Sequence, residues 1–368
     1  MTRALIIGGG ISGAVTAMAL RRAGIDSVIY EAYPTGAADI GAFLTIMHNG
    51  MDALRAIDAH DCVIRHSFPA NGIELVTGEG ETVGLRDFGY DGVTSPRTVT
   101  RAQLYAALHD ESARRGIGLE HGKRLVRVTQ SGSGVVAKFE DGSTASGDLL
   151  IGADGLHSAV RGLIDPESPR PRYTGLNVVY GYTRDTGFPA APERYRMIQG
   201  SRAAFGCTTD PDGQTYWFSR ISWPERDRAE LAAMTPSQWR DQTADQLAGD
   251  RTPAAQIVRA TDDLYGGQAY DIPSTEVWST ESMVLVGDAA HAASPASVQG
   301  ASMALEDSVV LAQCLRDLPK IPDAFAAYER LRRARVERIV SAGAGQGGEG
   351  YRTWLYDHHI DWDAPVTA

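Results

Sequence analysis

The chain opens on a pattern that few folds accommodate. An apolar run, Ala4-Leu5-Ile6-Ile7, passes directly into Gly8-Gly9-Gly10-Ile11-Ser12-Gly13, and an alanine-rich stretch from Ala14 to Ala23 then stops at Gly24. A continuous apolar run bounded by a turn is the signature of a strand buried on both faces of a parallel sheet. Gly8, Gly10 and Gly13 satisfy G-x-G-x-x-G in the strand-to-helix setting that the pattern requires. Gly8 permits the tight turn, Gly10 lets a pyrophosphate approach the backbone, and Gly13 lets the helix pack closely on the strand. Ile11 and Ser12 open that helix, whose unpaired amides face the phosphates. A second run, Ser27-Val28-Ile29-Tyr30, ends on Glu31, whose carboxylate is placed to accept hydrogen bonds from a ribose hydroxyl pair and whose charge disfavours a 2′-phosphate. An adenine-dinucleotide site is expected here.

The setting matters more than the letters. Gly343-Ala344-Gly345-Gln346-Gly347-Gly348 fits the same expression but follows a charged, helix-like segment, Tyr328 to Ile339, so it reads as a flexible connection. With 368 residues the chain has room for two domains built from non-contiguous segments. A formal charge of −11 argues against a nucleic-acid partner, which needs a basic face. Cys62, Cys207 and Cys314 are odd in number and lack metal-ligand spacing, so neither a disulfide framework nor a zinc site is expected, and a reducing cytoplasm fits. The glycines after Ile7 break any signal-peptide reading, and no run of about twenty apolar residues offers a membrane span.

Two later motifs narrow the ligand. Leu149-Leu150-Ile151-Gly152-Ala153-Asp154-Gly155 is a second buried-strand run ending in a turn, with Ser158 and Arg161 on the helix that follows. Met283-Val284-Leu285-Val286-Gly287-Asp288-Ala289-Ala290-His291 is a third, continuing through Ser294-Pro295 to Gln299-Gly300-Ala301-Ser302 and Leu305-Glu306-Asp307, with a helix starting near Gly300. Amides at a helix start carry partial positive charge, so Gly300, Ala301 and Ser302 can stabilise negative charge on a ligand. Arg101 opens another helix after Thr98-Val99-Thr100.

On these motifs the chain resembles the para-hydroxybenzoate hydroxylase-type, single-component flavoprotein monooxygenases. The resemblance covers roughly 1–60, 97–165 and 270–315. It implies an α/β fold: a Rossmann-like, three-layer ββα FAD-binding domain, an inserted antiparallel-sheet substrate domain and C-terminal helices. It also implies that Asp154 sits near the flavin pyrophosphate, that Asp288 contacts the ribityl chain, that Arg101 lies toward the phosphates or ribityl chain, and that the Pro295 loop and Gly300 border the ring. The implied activity is that of an FAD-dependent monooxygenase. NADPH or NADH reduces the flavin, O₂ adds to give a C4a-hydroperoxide, and one oxygen passes to an aromatic, polycyclic or polyketide-like substrate by hydroxylation or epoxidation. One departure is visible: many relatives have glycine before the Gln-Gly pair, whereas this chain has Val298, so a stiffer loop or a side chain lining the pocket is expected.

The expected boundaries are 1–70, 97–165 and 265–320 for FAD binding, 71–96 and 166–264 for the substrate domain, and 321–368 for a helical C-terminal segment. Asn71 to Phe88 reads as a hairpin around Gly78-Glu79-Gly80, and Asn177–Thr183, Arg202–Thr209 and Thr215–Ser222 as antiparallel strands with a turn at Asp210-Pro211-Asp212-Gly213. Tyr182, Phe205 and Trp217 are the candidate aromatic liners of the substrate pocket. Pro236–Leu247 and Ala324–Val340 read as helices, and the basic run Arg330–Arg338 as a solvated face. His358 and His359 point in different directions on any regular element, against a metal site. The chemistry belongs to the cofactor, so no catalytic side chain is singled out. A flavin-dependent dehydrogenase or reductase, or a non-catalytic flavoprotein, uses the same scaffold; Trp217-Phe218-Ser219-Arg220-Ile221-Ser222-Trp223-Pro224 does not match the W-x-W-x-x-I-P of a halogenase. A monomer or homodimer is expected.

Overall fold

A computed structural model describes residues 2–35, 42–88, 95–131, 134–184, 187, 193–272, 274–342, 351–356 and 358–367. The glycine-rich stretch 343–348 lies outside them. The opening strand, Arg3–Ile7, pairs in parallel with Leu149–Gly152 on one side and Asp26–Tyr30 on the other. Met283–Leu285 and Gly118–Glu120 complete a five-stranded parallel sheet. Ala4–Ile7, Leu149–Ile151 and Met283–Leu285 are unbroken apolar runs because both faces of the sheet are covered there. Leu5 faces Gly147 of the three-stranded meander Leu125–Ser131, Gly134–Phe139 and Thr144–Gly147, while Ile6, one residue on, faces Gly13 of the helix Ile11–Arg22. Period-two alternation thus separates a β-meander layer from a helical layer, the three-layer arrangement that the resemblance implied. Across the helical layer, Ile11–Arg22 packs between Arg101–Arg114 and Gly300–Asp317.

A second sheet of seven strands runs in the order Asp263–Asp271, Arg172–Thr183, Thr215–Ser222, Ala203–Thr209, Arg194–Gln199, Gly72–Thr77, Thr82–Asp87. The hairpin Gly72–Thr77/Thr82–Asp87 and the strands expected at 177–183, 202–209 and 215–222 are present, as is the Asp210 turn, where Asp210 Oδ1 accepts from the amides of Asp212 and Gln214. Two strands were not anticipated. Arg194–Gln199 opens on Arg194-Tyr195-Arg196, an unusual start for a strand, and Asp263–Asp271 is interrupted by Gly266, which is glycine because Trp239 lies where its Cβ would be, within 2.3 Å. Arg194–Gln199 pairs in parallel with Gly72–Thr77, so the sheet is mixed rather than wholly antiparallel. The two faces differ. One carries Phe205, Cys207, Trp217 and Ile221 against the helices Pro236–Leu247 and Ala254–Arg259; the other carries Tyr180, Tyr182, Tyr216 and Phe218 against Phe43 and Phe68. None of the helices among the described residues is long and apolar enough to cross a membrane.

The C-terminal helix starts at Ile321, earlier than expected, because Pro322 is tolerated in a first turn that needs no amide donor. Its basic run is not the solvated face that the spacing implied. Arg332 and Arg335 are buried, paired with Glu306 and Asp307 of Gly300–Asp317; Arg332 Nε donates to Asp307 Oδ1 at 2.7 Å and Arg335 Nε to Glu306 Oε2 at 2.8 Å. Only the remaining arginines of the run lie nearer solvent. Beyond the helix, His359 Nδ1 lies 2.9 Å from Asp52 Oδ1, and His358 is tucked beside the ion-pair cluster with its Nε2 unbonded. Burial pushes the His358 imidazole down to about 4. An unfolded histidine titrates near 6.5, so as pH falls the unfolded chain takes its proton first and stability drops between about 6.5 and 4. His358→Gln is therefore expected to flatten the loss of unfolding free energy between pH 7 and 5.5 in urea titrations; an unchanged slope would count against the assignment.

Candidate functional site

The site is built at the carboxyl ends of the parallel strands. Gly8 has φ +104°, and a Cβ on it would lie 2.5 Å from the carbonyl oxygen of Ala153 in the neighbouring strand-turn. A Cβ on Gly13 would lie 1.9 Å from the Gly8 oxygen, whereas one on Gly10 would meet nothing. The first two glycines are thus demanded by the protein's own backbone, and the third leaves open space above the turn. Gly10 caps the helix Ile11–Arg22 without a side-chain bond, so the amides of Ile11, Ser12 and Gly13 point into that space with no partner among the described residues. Glu31 is buried: Oε2 accepts from Gly9 N at 2.7 Å and Oε1 from Tyr33 N at 2.9 Å, leaving lone pairs for a ligand hydroxyl. One participant carried no sequence signal. His109, on the helix Arg101–Arg114, lies with Nε2 2.6 Å from the Gly9 carbonyl. Burial lowers its pKa, and a carbonyl only accepts, so a neutral imidazole donates through Nε2 and steadies the turn.

Asp154 is spent on structure. Its Oδ2 accepts from the amides of Ala159 and Val160 at 2.8 and 3.1 Å, its Oδ1 accepts from the Ser158 hydroxyl, and the Ser158 hydroxyl caps the helix Ala159–Ile164 through Arg161 N. Burial raises its pKa against these bonds. Arg161, buried, then reaches across to the Ala289 carbonyl at 2.9 Å and the Leu156 carbonyl at 2.8 Å, tying the Asp-Gly turn to the third motif. The aspartate thereby shapes the turn, and Gly155, with open space where its Cβ would be, is the part presented outward.

In the third motif, Gly287 turns the chain with φ +60° and donates its amide to Asp307 Oδ2 at 3.0 Å. His291 Nε2 also bonds Asp307 Oδ2, so that histidine serves the ion-pair cluster rather than the open site. Asp288 heads the short helix Asp288–His291 and remains exposed at its tip, yet the protein around it pushes its carboxyl up, with His291 and then Arg101 opposing. Arg101 is thus brought within electrostatic reach of Asp288, and its own side chain is exposed. Gly300 begins the helix Gly300–Asp317, and among the described residues no acceptor meets the amides of Gly300, Ala301 and Ser302. A Cβ on Gly300 would meet only Asp288 Oδ1, at 3.9 Å. Ser302 is buried, its hydroxyl accepting from Met47 N at 3.1 Å, so it offers only its backbone.

The loop before this helix is strained. Val298 has φ +54°, a left-handed conformation that costs a β-branched residue about 1–2 kcal/mol. Glycine would relieve that cost while adding about 0.4–1 kcal/mol of unfolded-chain entropy. Val298→Gly is expected to raise the thermal midpoint by about one or two degrees; a lowered midpoint would show the valine side chain to be holding the loop.

The proposed aromatic liners separate onto two faces. Tyr182 belongs to the aromatic face, 4.9 Å between ring centroids from Tyr216 and 6.0 Å from Phe43. Phe205 and Trp217 do not. Both are fully buried on the opposite face, stacked at 5.7 Å, with Trp217 Nε1 donating to Thr261 Oγ1 at 2.9 Å. Alternation shows that Tyr216 and Trp217 point oppositely but cannot show which faces the site. Arg220 shares the site face; one guanidinium nitrogen donates to the Pro295 carbonyl at 3.2 Å, joining the sheet to the loop before Gly300.

The result is a seat with two helix starts whose amides are unpaired, two acceptor carboxylates, Glu31 and Asp288, and an aromatic sheet face beyond. Unpaired amides suit a pyrophosphate and an electron-rich ring carbonyl, and carboxylates suit ribose and ribityl hydroxyls. The fold and seat define a dinucleotide-binding α/β protein. The profile of the FAD binding domain family matches residues 1–342. Similar proteins include the aurachin C monooxygenase/isomerase of Stigmatella aurantiaca, 30% identical over 95% of this chain and 91% of that protein, and the FAD-dependent urate hydroxylase of Klebsiella pneumoniae, 29% identical over 92% and 88%. The structure of Klebsiella pneumoniae HpxO complexed with FAD and uric acid superposes with a TM-score of 0.84 at 26% identity, over 97% of this chain and 93% of that one. The chain belongs to the FAD binding domain family.

Proposed function

We propose that this chain is an FAD-dependent monooxygenase that uses NAD(P)H and O₂ to hydroxylate or epoxidise an aromatic or polycyclic small molecule. The observation that carries the reading is the joint placement of the unpaired amides of Gly300, Ala301 and Ser302, the Asp288 carboxylate and an aromatic sheet face at one end of a dinucleotide fold. When bound, FAD takes two electrons from NAD(P)H and, with O₂, delivers one oxygen atom to the substrate while the other leaves as water. Residues 1–70, 97–165 and 265–320 hold the cofactor in this reading, and 71–96 and 166–264 supply the substrate wall. Glu31 accepts from the adenosine ribose, the amides of Ile11, Ser12 and Gly13 hold the pyrophosphate beside the turn made by Gly8 and Gly10, and Asp288 accepts from the ribityl chain with Arg101 nearby. The Gly300 helix start stabilises negative charge on the reduced ring, and the Pro295 loop closes its edge. Tyr180, Tyr182, Tyr216 and Phe218 exclude water from the reacting face. A reducing cytoplasm suits the chain, whose three thiols, Cys62, Cys207 and Cys314, are buried and pushed upward by burial.

The test is isotopic. Purified protein should carry bound flavin, consume NAD(P)H faster when a fitting aromatic is added, and place label from ¹⁸O₂ in the product. Substrate-dependent NAD(P)H consumption without label would sink the monooxygenase reading in favour of a flavin-dependent dehydrogenase or reductase.

A further inference from the structure

Gly8-Gly9-Gly10 is a turn without side chains, and glycine lets its peptide units rotate at little steric cost. Something outside the turn must therefore fix them. Gly8 is settled by backbone: its amide donates to the Tyr30 carbonyl at 2.9 Å. Gly9 is held by two side chains from different elements. Its amide donates to Glu31 Oε2 at 2.7 Å, just past the strand Asp26–Tyr30, and its carbonyl accepts from His109 Nε2 at 2.6 Å, in the second half of the helix Arg101–Arg114.

The second of these bonds reaches beyond Gly9. A trans peptide is planar, with its N–H antiparallel to its C=O, and no cis peptide occurs among the described residues. A Gly9 carbonyl drawn toward the helix Arg101–Arg114 therefore turns the Gly10 N–H the opposite way. Among the described residues that N–H meets no acceptor, and a Cβ on Gly10 would meet nothing within 4 Å. Rotating the same peptide unit would present the Gly9 oxygen to the open space instead, and an oxygen there repels a phosphate. The imidazole is suited to preventing that rotation. Tyr105, one turn earlier on the helix, lies 4.0 Å from it between ring centroids. Burial lowers the His109 pKa; Glu31 and Asp110 oppose the shift, and His121 adds to it. At neutral pH the ring is accordingly an uncharged donor.

We propose that His109 is a positioning residue of the cofactor seat: by holding the Gly9 carbonyl it aims the Gly10 amide into the space where the FAD pyrophosphate binds, and retention of FAD depends on it. This rests on the FAD seat and is independent of the oxygen chemistry. The test titrates apoprotein by calorimetry with FAD and, separately, with ADP, which carries the pyrophosphate without the flavin. Wild type should bind both. His109→Leu, which fills a similar volume without a donor, is expected to bind each at least about tenfold more weakly, about 1.4 kcal/mol. His109→Gln, whose amide nitrogen can take the place of Nε2, is expected to recover most of that loss. Undiminished affinities in His109→Leu, a loss that His109→Gln does not reduce, or a wild type that binds FAD but not ADP would overturn the assignment. The pH profile separates a neutral donor from a charge. Between about pH 6.5 and 8.5 the ratio of wild-type to His109→Leu affinity should stay constant; a ratio that shrinks as pH rises would show an imidazolium attracting the phosphates directly, and would overturn it as well. Should His109→Leu not fold, His109→Asn, whose amide stops short of the carbonyl, takes its place, and an undiminished affinity there counts against the clamp. Wild-type apoprotein that takes up no FAD fails the seat itself, which the first titration shows before any variant is compared.

Discussion

Gly10→Ala is expected to unfold at the wild-type midpoint yet lose most of its affinity for FAD, whereas Gly13→Ala loses both stability and cofactor. The two glycines stand in one motif but answer to different neighbours. A methyl on Gly13 would sit 1.9 Å from the Gly8 carbonyl oxygen, and that neighbour is backbone, unable to step aside without moving the strand-helix junction. Overpacking of this kind costs about 1–3 kcal/mol, and the displaced turn no longer aims its amides. A methyl on Gly10 meets no protein atom and instead occupies the space in front of the amides of Ile11, Ser12 and Gly13. Each charge-assisted hydrogen bond displaced there costs about 1.5–3 kcal/mol, so affinity should fall roughly ten- to hundredfold or more. Thermal unfolding of the apoprotein together with the flavin-to-protein ratio separates the cases. Equal destabilisation of both variants, or a Gly10→Ala protein that retains its flavin, would contradict the assignment of that space.

Arg332→Met is expected to lower the unfolding free energy by roughly 3–5 kcal/mol, because it leaves buried Glu306 with Arg335 alone and buried Asp307 without an arginine. Glu306 and Asp307 are both fully buried, and Arg332 bonds each of them. Burial pushes Glu306 up, but Arg332 and Arg335 outweigh it and hold the carboxyl at about 2. Its folded pKa therefore lies below that of the unfolded chain. The ion pairs contribute their full stability above about pH 4.5 and lose it as pH falls toward 2. Arg332→Met should give up that acid-labile component, so wild type and variant should converge in stability as pH falls. Adding Glu306→Gln and Asp307→Asn should recover part of the loss in urea titrations; a triple variant no better than the single one would show that packing, not stranded charge, sets the cost. The effect should reach the cofactor too, since Asp307 holds the Gly287 amide that aims Asp288.

What was legible in the chain was what the backbone itself demands. Gly8 and Gly13 are glycine because neighbouring backbone leaves no room for a Cβ, and such demands are written locally. The apolar runs at 4–7, 27–30, 149–151 and 283–286 gave the parallel sheet because strands buried on both faces need no partner pattern to be recognised. Facing was not legible. Phe205 and Trp217 looked like pocket residues because period two assigns residues to a common face without naming the neighbour of that face. Nor was pairing across long separations: nothing near Arg332 or Arg335 announces Glu306 and Asp307, so a buried ionic cluster has the letters of a solvated helix face. His109 and Arg220 are defined by what they approach, the Gly9 carbonyl and the Pro295 loop, and neither contact leaves a trace in local composition.

The two-faced sheet carries a consequence for how such a protein diversifies. Tyr216, Phe218 and Arg220 alternate with Trp217, Ser219 and Ile221, and Tyr180 and Tyr182 flank Gly181, where Trp217 lies 2.5 Å from the position of a Cβ. Positions that meet a ligand and positions that hold the scaffold are therefore interleaved yet mechanically insulated, one residue apart in the chain and a full sheet thickness apart in effect. A combinatorial library randomised at 180, 182, 216, 218 and 220, with 181, 217, 219 and 221 held constant, should yield mostly folded proteins with altered ligand preference. The complementary library, varied only at the held positions, should yield mostly aggregates. Catalytic novelty on this scaffold is reached by reading every second letter.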